Sequence, residues 1–187
     1  GMHAAILGEA RLGKSIVILG AGTIGLMVLQ ACKSLGATDI TVVDVMDKRL
    51  DLAKELGASR TINGAKEDTV ALLRSEELFG DHGVELVFEC AGSTFTANQA
   101  VQIVARGGKI MMVGTQSKPV PIDFLKINRE VTIQTSFRYC NNFPQTIEAI
   151  SSGRFNVKDM VTNIYDYEDV QKAFEEAPAE DGCGCVV

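Results

Sequence analysis

The stretch Ile18 to Gly25 reads ILGAGTIG, rising out of the apolar run SIVILG and continuing as LMVLQACKSLG. Its glycines fall at G-x-G-x-x-G, and each has a separate task. Gly20 permits a tight strand-to-helix turn, Gly22 lets the backbone approach a pyrophosphate, and Gly25 lets the helix pack close to the strand. Thr23 and Ile24 lie between the last two glycines, where the helix begins and its N-terminus offers N–H groups and a positive dipole end to phosphates. Glycine-rich turns are common, so context decides. Here the turn follows a strand, opens a helix and is answered by Asp44, which ends DITVVD about 20 residues beyond Gly25, where a ribose-binding acid is expected. Asp44, with Val45 beside it, also points to NAD, because its carboxylate would face the 2′-phosphate of NADP as a like charge. Lys48 and Arg49 read as a solvated helix face, the alternative being a clamp on that phosphate.

Outward from this turn, short β-branched runs alternate with helical patterns. SIVILG, DITVVD, SRTIN, VELVFEC, GKIMMVG and VTIQTSF are near-continuous apolar strands, with helices between them over the stretch to Leu35, DKRLDLAKELG, EDTVALLRSEELF and Thr94 to Ala105. Such a chain predicts an α/β fold of Rossmann type, a doubly wound parallel sheet of six strands in the order 3-2-1-4-5-6. Gly36, Gly57, Gly80 and Gly107 read as helix C-caps. Two further helices are expected, one before Gly153 and one before Pro178, the latter with Asp166 as N-cap and Asp169 in the box position. A short terminal strand is expected in GCGCVV.

The 187 residues suit one dinucleotide-binding domain spanning 1–187, and 46% hydrophobic with 22% charged residues describe a compact soluble chain. A net charge of −6 argues against nucleic acid as a partner. No apolar run reaches the roughly 18 residues of a membrane span, so no membrane partner is expected. The five cysteines, Cys32, Cys90, Cys140, Cys183 and Cys185, are odd in number and scattered through apparent strands and helices. They read as reduced thiols of a cytoplasmic protein. The Gly1-Met2 start resembles the remnant of a tag, from which a longer parent chain is expected.

In an open α/β sheet, ligands lie across the carboxyl ends of the strands. That rule adds Cys90, Ala91 and Gly92, then Val113, Gly114 and Thr115, then Ser136, Phe137 and Arg138 as cofactor-contacting candidates. Cys90 reads as a wall residue rather than a nucleophile, since no base neighbours it in sequence. Hydride transfer also needs a proton partner, such as a Tyr/Lys pair, a histidine or a metal. Four residues after Tyr139, Tyr165 and Tyr167 stand Phe143, Asp169 and Gln171, so no Tyr-x-x-x-Lys pair exists. His3 and His82 read as solvent-exposed, and Cys183-x-Cys185 supplies two thiolates with no second pair at finger spacing. No catalytic group and no metal site is expected in this chain.

ILGAGTIGLM with Asp44 and Arg49, FECAG, IMMVGT and above all FRYCNNFPQTIEAISSGRFNVKDMVT resemble the cofactor half of zinc-dependent medium-chain dehydrogenases, nearest the sorbitol or polyol branch. The resemblance runs from about Gly13 to the C-terminus. It implies that Asp44 holds the adenine ribose and Arg49 lies by the adenine. It further implies that the Phe137 backbone meets the nicotinamide amide, while Arg138 and Tyr139 face the substrate cleft. In that family a separate N-terminal domain carries the zinc, and this domain is expected to be absent here, so that the chain binds NAD(H) without turnover. The resemblance also implies a homodimer or tetramer through the sixth-strand edge, which lacks protecting charges in VTIQTSF. The tail EDGCGCVV departs from the family, where a basic residue usually precedes the last strand. Threonine dehydrogenases share the architecture, and a stand-alone NAD-sensing module is the alternative of another class.

Overall fold

The computed structural model describes residues 1–127, 130–176 and 185–186. Six parallel strands, β1 (Ser15–Leu19), β2 (Asp39–Asp44), β3 (Arg60–Asn63), β4 (Val84–Glu89), β5 (Val104–Met112) and β6 (Thr132–Thr135), form one sheet in the order β3-β2-β1-β4-β5-β6. The sheet expected from the sequence is therefore the sheet observed. Its order reverses between β1 and β4, which opens a crevice at the carboxyl edge.

Alternation along β1 shows why the strands are apolar throughout. Ile16 and Ile18 enter one core with α2 (Thr23–Ser34) and α3 (Asp47–Glu55), while Val17 and Leu19 enter another with α4 (Thr69–Leu73) and α5 (Thr94–Ile103). All four side chains are fully buried. A strand covered on both faces has no polar side to show, and each such side chain adds about 1.5–3 kcal/mol of burial.

Three local expectations need correction, and one element was not expected. A short helix, α1 (Met2–Leu7), precedes β1 and buries Met2, Ala4 and Ala5; Lys109 anchors its end by donating to the Leu7 carbonyl at 3.1 Å. The helix expected over EDTVALLRSEELF stops after Leu73, although Asp68 caps its start through the Val70 and Ala71 N–H groups. Arg74 explains the stop. Its guanidinium donates to the carbonyls of Gly80, Asp81, Gln102 and Val104, which folds the following residues back over the end of α5. Gly80 (φ +50°) accordingly closes this turn stretch rather than a helix. Gly107 (φ +67°) lies inside β5, which begins three residues earlier than Gly107, at the irregularity where Val84 pairs with Val104 but Leu86 with Lys109. Gly36 and Gly57 do follow their helices with positive φ.

Beyond β6, α6 (Phe143–Ser151) is docked by the segment after it. Gln30 of α2, 3% exposed, donates to the Asn156 carbonyl at 3.2 Å and accepts from its N–H. The next stretch contains β7 (Asn163–Ile164), a 3-10 turn at Tyr167–Asp169 and α7 (Val170–Glu176). Asp166 occupies the N-cap position of that turn without a side-chain bond. The expected terminal strand appears as β8 (Cys185–Val186), parallel to β7. Pro178 and Cys183 lie outside the described residues. Among the described residues no helix is long and apolar enough to cross a membrane.

Candidate dinucleotide site

The three glycines of the first turn meet three different surroundings. Gly20 has φ +105°, and a Cβ there would lie 2.9 Å from the Ala91 nitrogen. A Cβ on Gly25 would overlap the Gly20 carbonyl oxygen, at 1.8 Å. Gly22 is the N-cap of α2 with no side-chain cap, and its missing Cβ would have nothing within 4 Å. The protein thus forbids a side chain at Gly20 and Gly25 for its own packing. At Gly22 it leaves open space above a helix N-terminus, which fits a pyrophosphate group.

Asp44 stands beside this turn. One carboxylate oxygen accepts from the Ala21 N–H at 2.7 Å, and the other from Val45 and Met46 at 2.8 and 3.0 Å. These bonds hold the acid at the rim with acceptor capacity left for ligand hydroxyls, since each carboxylate oxygen has two lone-pair sites. A cavity of about 450 Å³ joins Gly20, Gly22, Asp44, Val45, Arg49, Cys90 and Ala91. Among the walls that were not anticipated are Gly64 after β3, and Ser93, Phe95 and Thr96 at the start of α5. The signal for the last three lay in the S-x-x-T spacing, where Ser93 caps the helix by accepting from the Thr96 N–H.

Other candidates lie at the same sheet edge but outside this cavity. Thr23 and Ile24 are exposed on the first turn of α2, and Gly25 is buried beneath it. Gly92 (φ +69°) and Gly114 are packed against each other, a Cβ on Gly114 falling 2.3 Å from the Gly92 nitrogen. Val113 and Thr115 flank Gly114, and Ser136 continues β6 by donating to the Met112 carbonyl at 2.9 Å. Phe137 is 80% exposed, with the Arg138 guanidinium 5.4 Å from its ring centre.

Arg138 and Tyr139 line a separate cavity of about 220 Å³ with His3, Asn142 and Phe143. Arg138 and Asn141 both have positive φ, +53° and +52°. Asn142 holds this loop. Its side-chain oxygen accepts from the Cys140 N–H at 3.3 Å and pairs with His3 Nδ1 at 3.0 Å, so that nitrogen carries the proton. His3 is therefore half-buried and structural rather than solvent-exposed, while His82 is exposed.

Cys90 forms part of the cavity wall. Burial first, and the Glu89 carboxylate second, push its thiol pKa well up, so it is neutral and a poor nucleophile. Burial likewise raises Cys32 to about 12. Among the described residues no three His, Cys, Asp or Glu side chains come together as metal ligands.

A glycine turn on a helix N-terminus, an acid at the end of β2 and a crevice at the strand-order reversal define the Rossmann class of nucleotide-binding folds. The family model "Zinc-binding dehydrogenase" matches residues 23–152, and the chain belongs to that family. The chain is 64% identical over 177 residues to the uncharacterized zinc-type alcohol dehydrogenase-like protein YdjJ of Escherichia coli, covering 95% of the chain and 50% of that protein. It is 38% identical over 180 residues to the sorbitol dehydrogenase of Bacillus subtilis, with the same two coverages. A crystal structure of an Escherichia coli oxidoreductase of unknown specificity superposes with a TM-score of 0.93 at 61% identity, over 97% of this chain and 52% of that one. The chain spans about half the length of the relatives it matches. Members of the family use a nicotinamide dinucleotide, NAD or NADP.

Proposed function

We propose that this chain is the NAD(H)-binding part of a zinc-dependent alcohol or polyol dehydrogenase of sorbitol dehydrogenase type. The observation that carries it is the cavity over Gly22 and Asp44, which offers a pyrophosphate seat and a ribose acid side by side. Gly20, Gly22 and the first turn of α2, with Thr23, Ile24 and Gly25, receive the pyrophosphate. Asp44 and Val45 take the adenosine ribose, and Arg49 borders the adenine. The strand ends Cys90–Gly92, Val113–Thr115 and Ser136–Arg138 receive the nicotinamide half.

NAD is favoured over NADP because Asp44 is already fixed at the rim by three backbone N–H groups and cannot swing away from a 2′-phosphate without giving them up. Zinc, in the whole enzyme, supplies a Lewis acid for the substrate alcohol from a further domain. The exposed apolar side chains Phe137 (80%), Tyr139 (63%), Phe143 (61%) and Ile147 (61%) support such a neighbour, because a stand-alone sensor gains nothing from displaying them. Arg138 and Tyr139 then face the substrate cleft. The β6 edge, uncharged over Thr132–Thr135, is where two copies pair, and the protein works in the cytoplasm.

The test is a direct NADH titration of the chain, alongside incubation with NAD and sorbitol, xylitol or threonine, with and without zinc. Saturable NADH binding without NADH formation is expected. Turnover without zinc would place a catalytic group in this chain and overturn the division of labour.

A further inference from the structure

Glu89 ends β4 and is fully buried, with a carboxylate that reaches three separate stretches of chain. One oxygen accepts from the N–H groups of Ala91 at 3.0 Å and Gly92 at 2.8 Å, and from Thr96 Oγ1 at 2.8 Å. The other accepts from Gln116 Nε2 at 3.0 Å. Its backbone carbonyl accepts from Val113 and Gly114 N–H at 2.8 and 2.9 Å. A Cβ on Gly114 would lie 2.9 Å from the second carboxylate oxygen, so the strand-end backbone is packed directly onto the acid. Buried acids are costly unless their lone pairs are satisfied, and these are satisfied by the loops at the carboxyl edge of the sheet and by the first turn of α5.

We infer that Glu89 is a positioning residue for the nicotinamide half of the dinucleotide: it fixes the Ala91–Gly92 and Gly114–Gln116 loops and takes up the two amide donors of the first. With the Ala91 and Gly92 N–H groups turned onto the carboxylate, this side of the crevice loses its anion-binding donors. It suits ribose hydroxyls, and the pyrophosphate is left to the α2 N-terminus. Thr96 extends the same network to the cavity wall through its bond with Ser93 Oγ at 2.7 Å. The assignment rests on the chain holding a dinucleotide as proposed above.

AMP engages only the Asp44 side of the crevice, whereas NADH spans both sides, so the ratio of their affinities isolates the role of Glu89. The experiment titrates AMP and NADH into the unmutated chain and into Glu89→Ala, Glu89→Gln and Gln116→Ala, with thermal melts of each. Glu89→Ala is expected to weaken NADH by roughly tenfold or more, as the loss of charge-assisted hydrogen bonds entails, with AMP within about twofold. Glu89→Gln should recover part of the NADH binding, since an amide oxygen still accepts from Ala91, Gly92 and Thr96 while the charge and the bond from Gln116 Nε2 are lost. Gln116→Ala should lower NADH alone by a smaller factor. An unchanged NADH-to-AMP ratio in folded Glu89→Ala, or in Gln116→Ala if the former does not fold, would overturn the assignment. An unmutated chain that binds neither ligand would overturn the dinucleotide reading and this role together.

Discussion

Gly22→Ala is expected to leave the fold standing and sharply weaken NADH binding, whereas Gly25→Ala, three residues on, is expected to damage the fold itself. The two sites share a motif but differ in what surrounds the missing Cβ. At Gly22 nothing of the protein lies within 4 Å, and its φ of −70° is open to any residue. Alanine there costs only the ordinary penalty of a poor N-cap, about 0.5–1 kcal/mol. The methyl group, however, fills the space where a phosphate must come to reach the helix N-terminus. Losing one or two charge-assisted bonds to it amounts to about 3 kcal/mol, or roughly a hundredfold in affinity. At Gly25 the new carbon would sit 1.8 Å from the Gly20 oxygen, so α2 must move off β1, at a cost on the order of 3 kcal/mol. Thermal melts and NADH titrations of both variants separate the effects. Equal destabilisation in the two would mean that the open space at Gly22 has no ligand purpose.

The second large effect concerns the choice between NAD and NADP. Asp44→Ala removes the acceptor used by the Ala21, Val45 and Met46 N–H groups, so it disturbs the turn as well as the ligand. Asp44→Asn is the cleaner change, because its oxygen can still serve the Val45 and Met46 N–H groups while the charge is gone. For Asn, the preference for NADH over NADPH is expected to shrink by roughly 1–3 kcal/mol, through relief of the like-charge contact and weakening of one ribose bond. Asp44→Ala is expected to weaken both cofactors further. If the unmutated chain already binds NADPH more tightly than NADH, Lys48 and Arg49 act as a phosphate clamp and Asp44 does not select.

The sheet was legible because each strand is a continuous apolar run and the glycine turn fixes which strand comes first. Asp44 was legible by its distance from that turn. What escaped the sequence depends on partners far along the chain. The short α4 stops because Arg74 reaches carbonyls at Gln102 and Val104, and nothing in EDTVALLRSEELF announces those acceptors. Gly107 looked like a helix end because a glycine inside a strand irregularity carries the same positive φ. His3 looked exposed because its partner, Asn142, is 139 residues away. Glu89 drew no reading of its own within VELVFEC, and its meaning appears only when Thr96 and Gln116 arrive beside it. The six-residue α1 was too short for its periodicity to stand out, and it is held by packing on α2 and by Lys109.

The most direct test of the central claim, that this crevice is a dinucleotide site, is a crystal structure of the chain grown with NADH. The expected result places the pyrophosphate over Gly22 at the first turn of α2, the adenosine ribose hydroxyls on the Asp44 carboxylate, and the nicotinamide half across Ala91, Gly92 and Gly114. A dinucleotide bound elsewhere, or one whose ribose lies away from Asp44, would contradict it.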